Sequence, residues 1–361
     1  MKRNSSIELL KIMAIVMIVI SHAIPVGMID LGLATDSLQY NIIRFIKCFG
    51  QIGNNIFIVS SAWFLLESEK AHIKKIWHMI GMCFVISIIM LLCFLLLDYP
   101  LPWKFCVKQF FPVTFGNLWF LTCYLLYYLI HPALNLVIKR VDKRQLLLID
   151  SVLVILYCIM SYAMEGHLFY YNELVGFTVI HFIVAYVKKY LSNTISSQKF
   201  NVTVLGVGII GWFAIYIIAN VLGLHVNFFY DQVMRWNRLM NPCYILIAMG
   251  LFCIFNNHTF YRNAINYCSS LSLLVYMIHG NQIIMNYIRY DIWEEIINRY
   301  TDKNLILWVL LYGVVSLVGA FILAFVYDKM LNKHINKLVD GVVGFLSRIY
   351  RRWENIMIKW D

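Results

Sequence analysis

Three ionisable residues fall in one apolar stretch near the start of the chain: Glu8, Lys11 and His22. Inserting such a group into a hydrocarbon span costs roughly 2.5–3.5 kcal/mol, so each is a candidate for function. Lys11 and His22 are eleven residues apart. At 100° per residue that is about 1100°, within about 20° of three full turns. On a helix the two therefore share a face, about 16 Å apart along the axis. Glu8 lies one turn before Lys11 on the same stripe. An imidazole titrates close to cellular pH, which suits His22 to general-base or covalent chemistry on a hydroxyl. The spacing is equally compatible with a Glu8–Lys11 pair near the headgroups and a buried histidine bonded to neighbouring backbone.

The surrounding elements are membrane helices. Of 361 residues, 61% are hydrophobic and 14% charged, against about a quarter charged in soluble domains, and this excludes a water-soluble fold. Apolar runs near 7–26, 42–66, 76–97, 117–138, 146–164, 173–188, 202–223, 240–256, 268–288 and 304–327 predict an all-α, polytopic integral membrane protein with about ten transmembrane helices in one bundle. Lys2 and Arg3 ahead of an apolar stretch resemble a secretory signal. No small-residue cleavage site follows, and the span is long enough to be retained as a first helix.

Placing the N-terminus in the cytosol puts Lys2, Arg3, Lys70, Lys74, Lys75, Lys139, Arg140, Lys143, Arg144, Lys188, Lys189, Lys199, Arg262 and a basic C-terminal tail on the inner side. The outer side receives Arg44, Lys47, Lys104, Lys108, Arg235, Arg238, Arg289, Arg299 and Lys303. Inner cations win roughly two to one, so both termini are expected in the cytosol of a multi-pass cell-membrane protein. Residues 1–328 then form the transmembrane domain. In 329–361, apolar residues at helical spacing alternate with Lys and Arg, which predicts an amphipathic helix on the anionic leaflet. The net charge of +11 is thereby explained by membrane position, without nucleic acid. Nine cysteines lie singly, and no ligand pattern such as H-E-x-x-H occurs, so no metal is expected.

The opening Arg3-Asn4-Ser5-Ser6-Ile7-Glu8-Leu9-Leu10-Lys11, followed by an apolar run into Ser21-His22, resembles the start of the acyltransferase-3 family of membrane O-acyltransferases. The family's Arg-x10-His signature appears here with Lys11 at the arginine position. Gly53-x-Asn55-x-Phe57 with Ser60, Ser61 and Phe64, Leu118-Trp119-Phe120-Leu121 through Tyr124 to Pro132, and Tyr276-Met277-Ile278-His279 follow in the family's order. The resemblance implies transfer of an acyl group, usually acetyl, from cytosolic acyl-coenzyme A to a hydroxyl of a cell-envelope or exported polysaccharide, or of its lipid-linked precursor. On that reading His22 and Glu8 form the catalytic set, with His22 as base or acyl carrier. Lys11, Lys74 and Lys75 hold the donor's phosphates at the cytosolic mouth. Asn55, Ser60, Trp119, Tyr276 and His279 are substrate-binding candidates. The plainer alternatives are helix–helix hydrogen bonding for Asn55 and Ser60, an interfacial aromatic belt for Trp119 and Tyr124, positive-inside bias for the lysines, and a structural role for His279. Nothing in spacing singles out His131 or His181. The competing class is a transporter or flippase, which would line a midplane path with polar groups; the sequence offers no inverted repeat for it.

Overall fold

In a computed structural model, residues 3–24, 37–160, 172–223, 225–226, 237–299 and 304–357 are described, with backbone alone for 350–357. The predicted ends of the first and fifth spans, the cations Lys2, Arg235 and Lys303, and the tail residue Lys359 lie outside the described residues. No strand occurs among the described residues.

In chain order the helices are α1 Ser5–His22, α2 Leu38–Leu65, α3 Ile73–Leu96, the short α4 Trp103–Gln109 and α5 Trp119–Arg140. Next come α6 Lys143–Leu153, α7 Glu173–Tyr190, α8 Gln198–Gly223 and α9 Pro242–Asn256. The chain continues through α10 Asn263–Ser270, α11 Ser272–His279, α12 Arg289–Arg299, α13 Leu305–Met330 and α14 Asn332–Met357. Six of these, α1, α2, α3, α5, α8 and α13, are long and apolar enough to cross a membrane. Of the remaining spans expected from sequence, 173–188 falls on α7, which has the 18 residues of α1 but is not among the six, and the others fall on short or interrupted helices. α6 runs into a π-helical stretch, Val154–Met160. α9 is apolar but has only 15 residues. The ninth expected span is divided into α10, α11 and a π-helical segment, Ile284–Ile288. Its break lies at Gly280-Asn281, where the Asn281 side chain accepts from the Ile283 N–H at 2.9 Å. A polar side chain thus takes over a backbone bond that an unbroken helix would have made, as membrane-buried irregular backbone requires.

α1 is the pivot of the bundle. Asn4 caps its first turn by accepting from the Ser6 N–H at 3.1 Å. Ser5 fastens this end to the start of α10, donating to Asn266 at 2.7 Å while accepting from the Arg262 N–H at 2.7 Å. Along its length α1 packs chiefly against α2, with Gly53 at the crossing. A Cβ on Gly53 would lie 2.6 Å from the Ala14 carbonyl oxygen, so only glycine lets the backbones approach this closely. The main core joins Leu10, Ala14, Ile15 and Val19 of α1 to Ile52, Ile56 and Val59 of α2. Leu121 of α5, Phe177 of α7, Phe252 of α9 and Val275 of α11 complete it.

Two further polar connections brace the bundle. Asn135 of α5 donates to the carbonyls of Leu65 and Ser68, each at 2.8 Å, and accepts from His181 at 2.9 Å; the other nitrogen of His181 takes the Tyr127 hydroxyl at 2.7 Å. These bonds occupy both nitrogens of His181 in structure. On the tail, Asp340 of α14 pairs with Lys74 at 3.0 Å and His78 at 2.7 Å. Hydrogen bonds from Lys74 and then His78 hold the Asp340 carboxyl below the usual carboxylate range. Val339 closes on Gly81 of α3, while Leu338, Val342 and Phe345 stay exposed as an apolar face.

Candidate active site

The face of α1 that carries Lys11 continues through Ile15 and Ile18 to His22, at steps of four, three and four residues. A cavity of about 320 Å³ follows this face from Lys11 through Ile15 to Ile18, one turn short of His22. One part of it is basic, with Arg3, Lys11 and Lys75, and another is aromatic, with Phe57, Phe120, Tyr124 and Tyr276. Ser61, Ser269 and Ser270 add hydroxyls along the wall.

Glu8 lies at the basic end. It accepts from Lys11 at 3.2 Å and from the Ser269 hydroxyl of α10, so it holds the Lys11 ammonium in place rather than facing the far end of the helix. The stripe read from sequence is thus one surface, with a charge-holding end and a histidine end. Lys74 and Lys75 belong to the first turn of α3. Successive helical residues point 100° apart, and here they separate: Lys75 enters the cavity wall while Lys74 turns to Asp340 of the tail.

At the other end, His22 Nδ1 lies 3.0 Å from His279 Nε2. His279 closes α11, and its Nδ1 is 2.8 Å from the Val275 carbonyl oxygen. A carbonyl only accepts, so His279 Nδ1 carries a proton. In the neutral ring Nε2 is then bare and takes the Nδ1–H of His22. His22 is left with an unprotonated Nε2 on the opposite side of its ring, as a general base requires. Tyr276, one turn before His279, lines the cavity and packs edge-on to the His279 ring at 5.9 Å. The break after His279 leaves this histidine at a helix end beside a π-helical segment, a common setting for functional groups.

The remaining sequence candidates are placed as follows. Asn55 donates to the Leu239 and Gln51 carbonyls, both at 2.9 Å, bonding its helix to the segment before α9. The Ser60 hydroxyl is buried without a hydrogen-bond partner. Trp119 packs against Phe120 at 5.6 Å and is not part of the cavity wall, whereas Phe120 and Tyr124 are.

Sequence reasoning missed three cations. Arg3 reads as positive-inside charge, yet it lines the cavity. Lys47 and Arg289 read as outer-side charge, yet both reach the end of α1: Lys47 donates to the Ile24 carbonyl and Arg289 Nη1 to the His22 carbonyl at 3.2 Å. A lone arginine immediately after the expected ninth span, 268–288, is the sequence signal that could have found Arg289.

The described residues thus form a helical membrane protein in which one face of α1 carries a cation-lined cavity towards one end and a histidine pair at the other. The family model described as an acyltransferase domain, acyltransferase-3, matches residues 4–325. The chain belongs to this family and is a membrane acyltransferase. No curated protein and no solved structure matches it significantly.

Proposed function

We propose that the protein is an O-acyltransferase, with acetyl as the preferred group. It moves the acyl group from cytosolic acyl-coenzyme A to a hydroxyl of a cell-envelope or exported polysaccharide or its lipid-linked precursor. The observation that carries this reading is the single α1 face joining the Lys11 end of the cavity to His22. Its length of about 16 Å suits a donor whose phosphates stay at one end while its thioester reaches the other. Arg3, Lys11 and Lys75 are the groups suited to the phosphates. The aromatic walls suit the apolar stretches of the pantetheine arm, with both termini of the chain in the cytosol.

Coenzyme A supplies an activated thioester, and the residues of this chain supply the proton handling. His22 Nε2 takes the proton of the acceptor hydroxyl as that oxygen attacks the thioester carbonyl; the C–S bond breaks and the thiolate leaves with the electron pair. The proton on His22 then passes to the departing sulfur. His279 holds His22 in the required tautomer, and Glu8 keeps Lys11 at the mouth.

The test is incubation of purified protein in vesicles with radiolabelled acetyl-coenzyme A and a crude envelope-glycan fraction, with His22→Ala alongside. Label on glycan that depends on His22 is the expected result. Label transferred equally by His22→Ala would remove His22 from the mechanism. No transfer with any acyl donor would favour a transport role.

A further inference from the structure

Arg289 is 2% exposed and opens α12 beside the last turn of α1. Its Nη1 bonds the His22 carbonyl, and its Nε is buried without a partner. Lys47 of α2, partly buried, reaches the adjacent Ile24 carbonyl. The two cations thus meet carbonyls two residues apart at the same end of α1. On α12, Asp291 accepts the Tyr99 hydroxyl at 2.5 Å, and Glu295 pairs with Arg299. Among the described residues no ion pair involves Lys47 or Arg289.

Capping the C-terminal carbonyls of α1 accounts for part of this arrangement, since a helix end carries about half a negative charge. It does not account for two basic side chains brought to one helix end. Gathering two like charges in a low-dielectric interior is costly unless an anion joins them. An arginine that already spends Nη1 on backbone still offers the Nε edge of its fork to a carboxylate or phosphate oxygen.

We infer that Lys47 and Arg289 form an anion subsite beside His22, which selects an acyl acceptor carrying a carboxylate or phosphate close to its reacting hydroxyl. This rests on the transfer reading above and adds the acceptor's chemical class: an acidic sugar or a sugar phosphate. The donor mouth is at the other end of α1, so the two anionic substrates are held apart with His22 between them.

The experiment compares wild type, Arg289→Gln and Lys47→Gln. It measures acetyl transfer to p-nitrophenyl β-glucuronide, glucose 1-phosphate and the neutral p-nitrophenyl β-glucoside. In parallel, equilibrium dialysis measures binding of glucuronate and inorganic phosphate. Wild type is expected to favour a charged acceptor over the glucoside by about tenfold or more in kcat/KM, the scale of one charge-assisted hydrogen bond. That ratio should fall towards one in both variants. Glucuronide as the better acceptor identifies a carboxylate ligand, and glucose 1-phosphate identifies a phosphate. A wild-type ratio near one, or a ratio unchanged in the variants, would overturn the subsite and leave helix capping as the whole role. If Arg289→Gln fails to fold, Lys47→Gln decides alone. If wild type acetylates none of the probes, the transfer reading fails on them, and dialysis decides the subsite: anion binding lost in the variants upholds it, and no binding overturns it.

Discussion

Replacing His279 with alanine leaves His22 in place and removes the acceptor of its Nδ1–H, 3.0 Å away. The imidazole then turns freely and populates the tautomer with its proton on Nε2, which cannot act as a base. Losing the partner of a partly buried polar group costs about 1–3 kcal/mol, and at 1.36 kcal/mol per tenfold this slows kcat by about 5- to 150-fold. Removing the base itself, in His22→Ala, costs about 10²- to 10⁴-fold. The decisive variant is His279→Gln, whose Oε1 reaches the place of Nε2 and accepts the same hydrogen bond; it should regain most of the activity lost in His279→Ala. The assay is initial-rate transfer of labelled acetyl to glycan in vesicles, with each variant's unfolding midpoint measured in parallel. Wild-type turnover in His279→Ala, or a glutamine variant as slow as the alanine variant, would refute the tautomer reasoning.

Three further outcomes are expected. Lys11→Ala should weaken acetyl-coenzyme A binding by about 10- to 100-fold, the range of a charge-assisted contact, while Lys11→Arg should preserve it; direct titration of the donor checks both, and unchanged affinity in Lys11→Ala would remove Lys11 from the mouth. Gly53→Ala places a methyl group 2.6 Å from the Ala14 carbonyl oxygen; it should cost about 1–3 kcal/mol, read as a lower thermal midpoint, with activity falling as α1 is pushed from α2. Asp340→Asn should free the tail from α3 and raise its protease sensitivity. Since Lys74 and His78 hold the folded carboxyl below its ordinary range, their contribution is present above the unfolded carboxylate pKa and lost as pH falls through the folded one; tail cleavage in wild type should therefore rise only in strong acid, and an equal rise near neutrality would show that Asp340 does not hold the tail.

Some of this architecture was legible in the sequence and some was not. The α1 stripe was, because helical periodicity links positions eleven residues apart without reference to anything else. The pairing of His22 with His279 was not, because the two are 257 residues apart and only the packing of α1 beside α11 brings them together. Counting cations by membrane side treats each as an average surface charge; it missed Lys47 and Arg289, whose side chains reach inward to carbonyls of another element. The same averaging grouped Lys74 with Lys75, although one helical step sends them to different partners. The interruption of the ninth span was hidden for another reason: 268–288 is apolar enough on average to count as one span, and the polar run His279-Gly280-Asn281-Gln282 does not by itself tell a buried polar patch from a broken backbone, which the Asn281 cap shows.

Because the anchoring charge and the base are carried on one unbroken rod, their separation is fixed by residue count and cannot adapt. One residue inserted between Lys11 and His22 would swing the base through 100° and advance it about 1.5 Å, out of phase with His279. Seven inserted residues would restore the phase to within about 20° but carry the base about 10 Å too far. On the proposed reading, α1 is therefore a ruler for the donor. An acyl carrier whose arm is a few ångströms shorter or longer can dock its phosphates correctly and still present its thioester to the wrong turn of the helix.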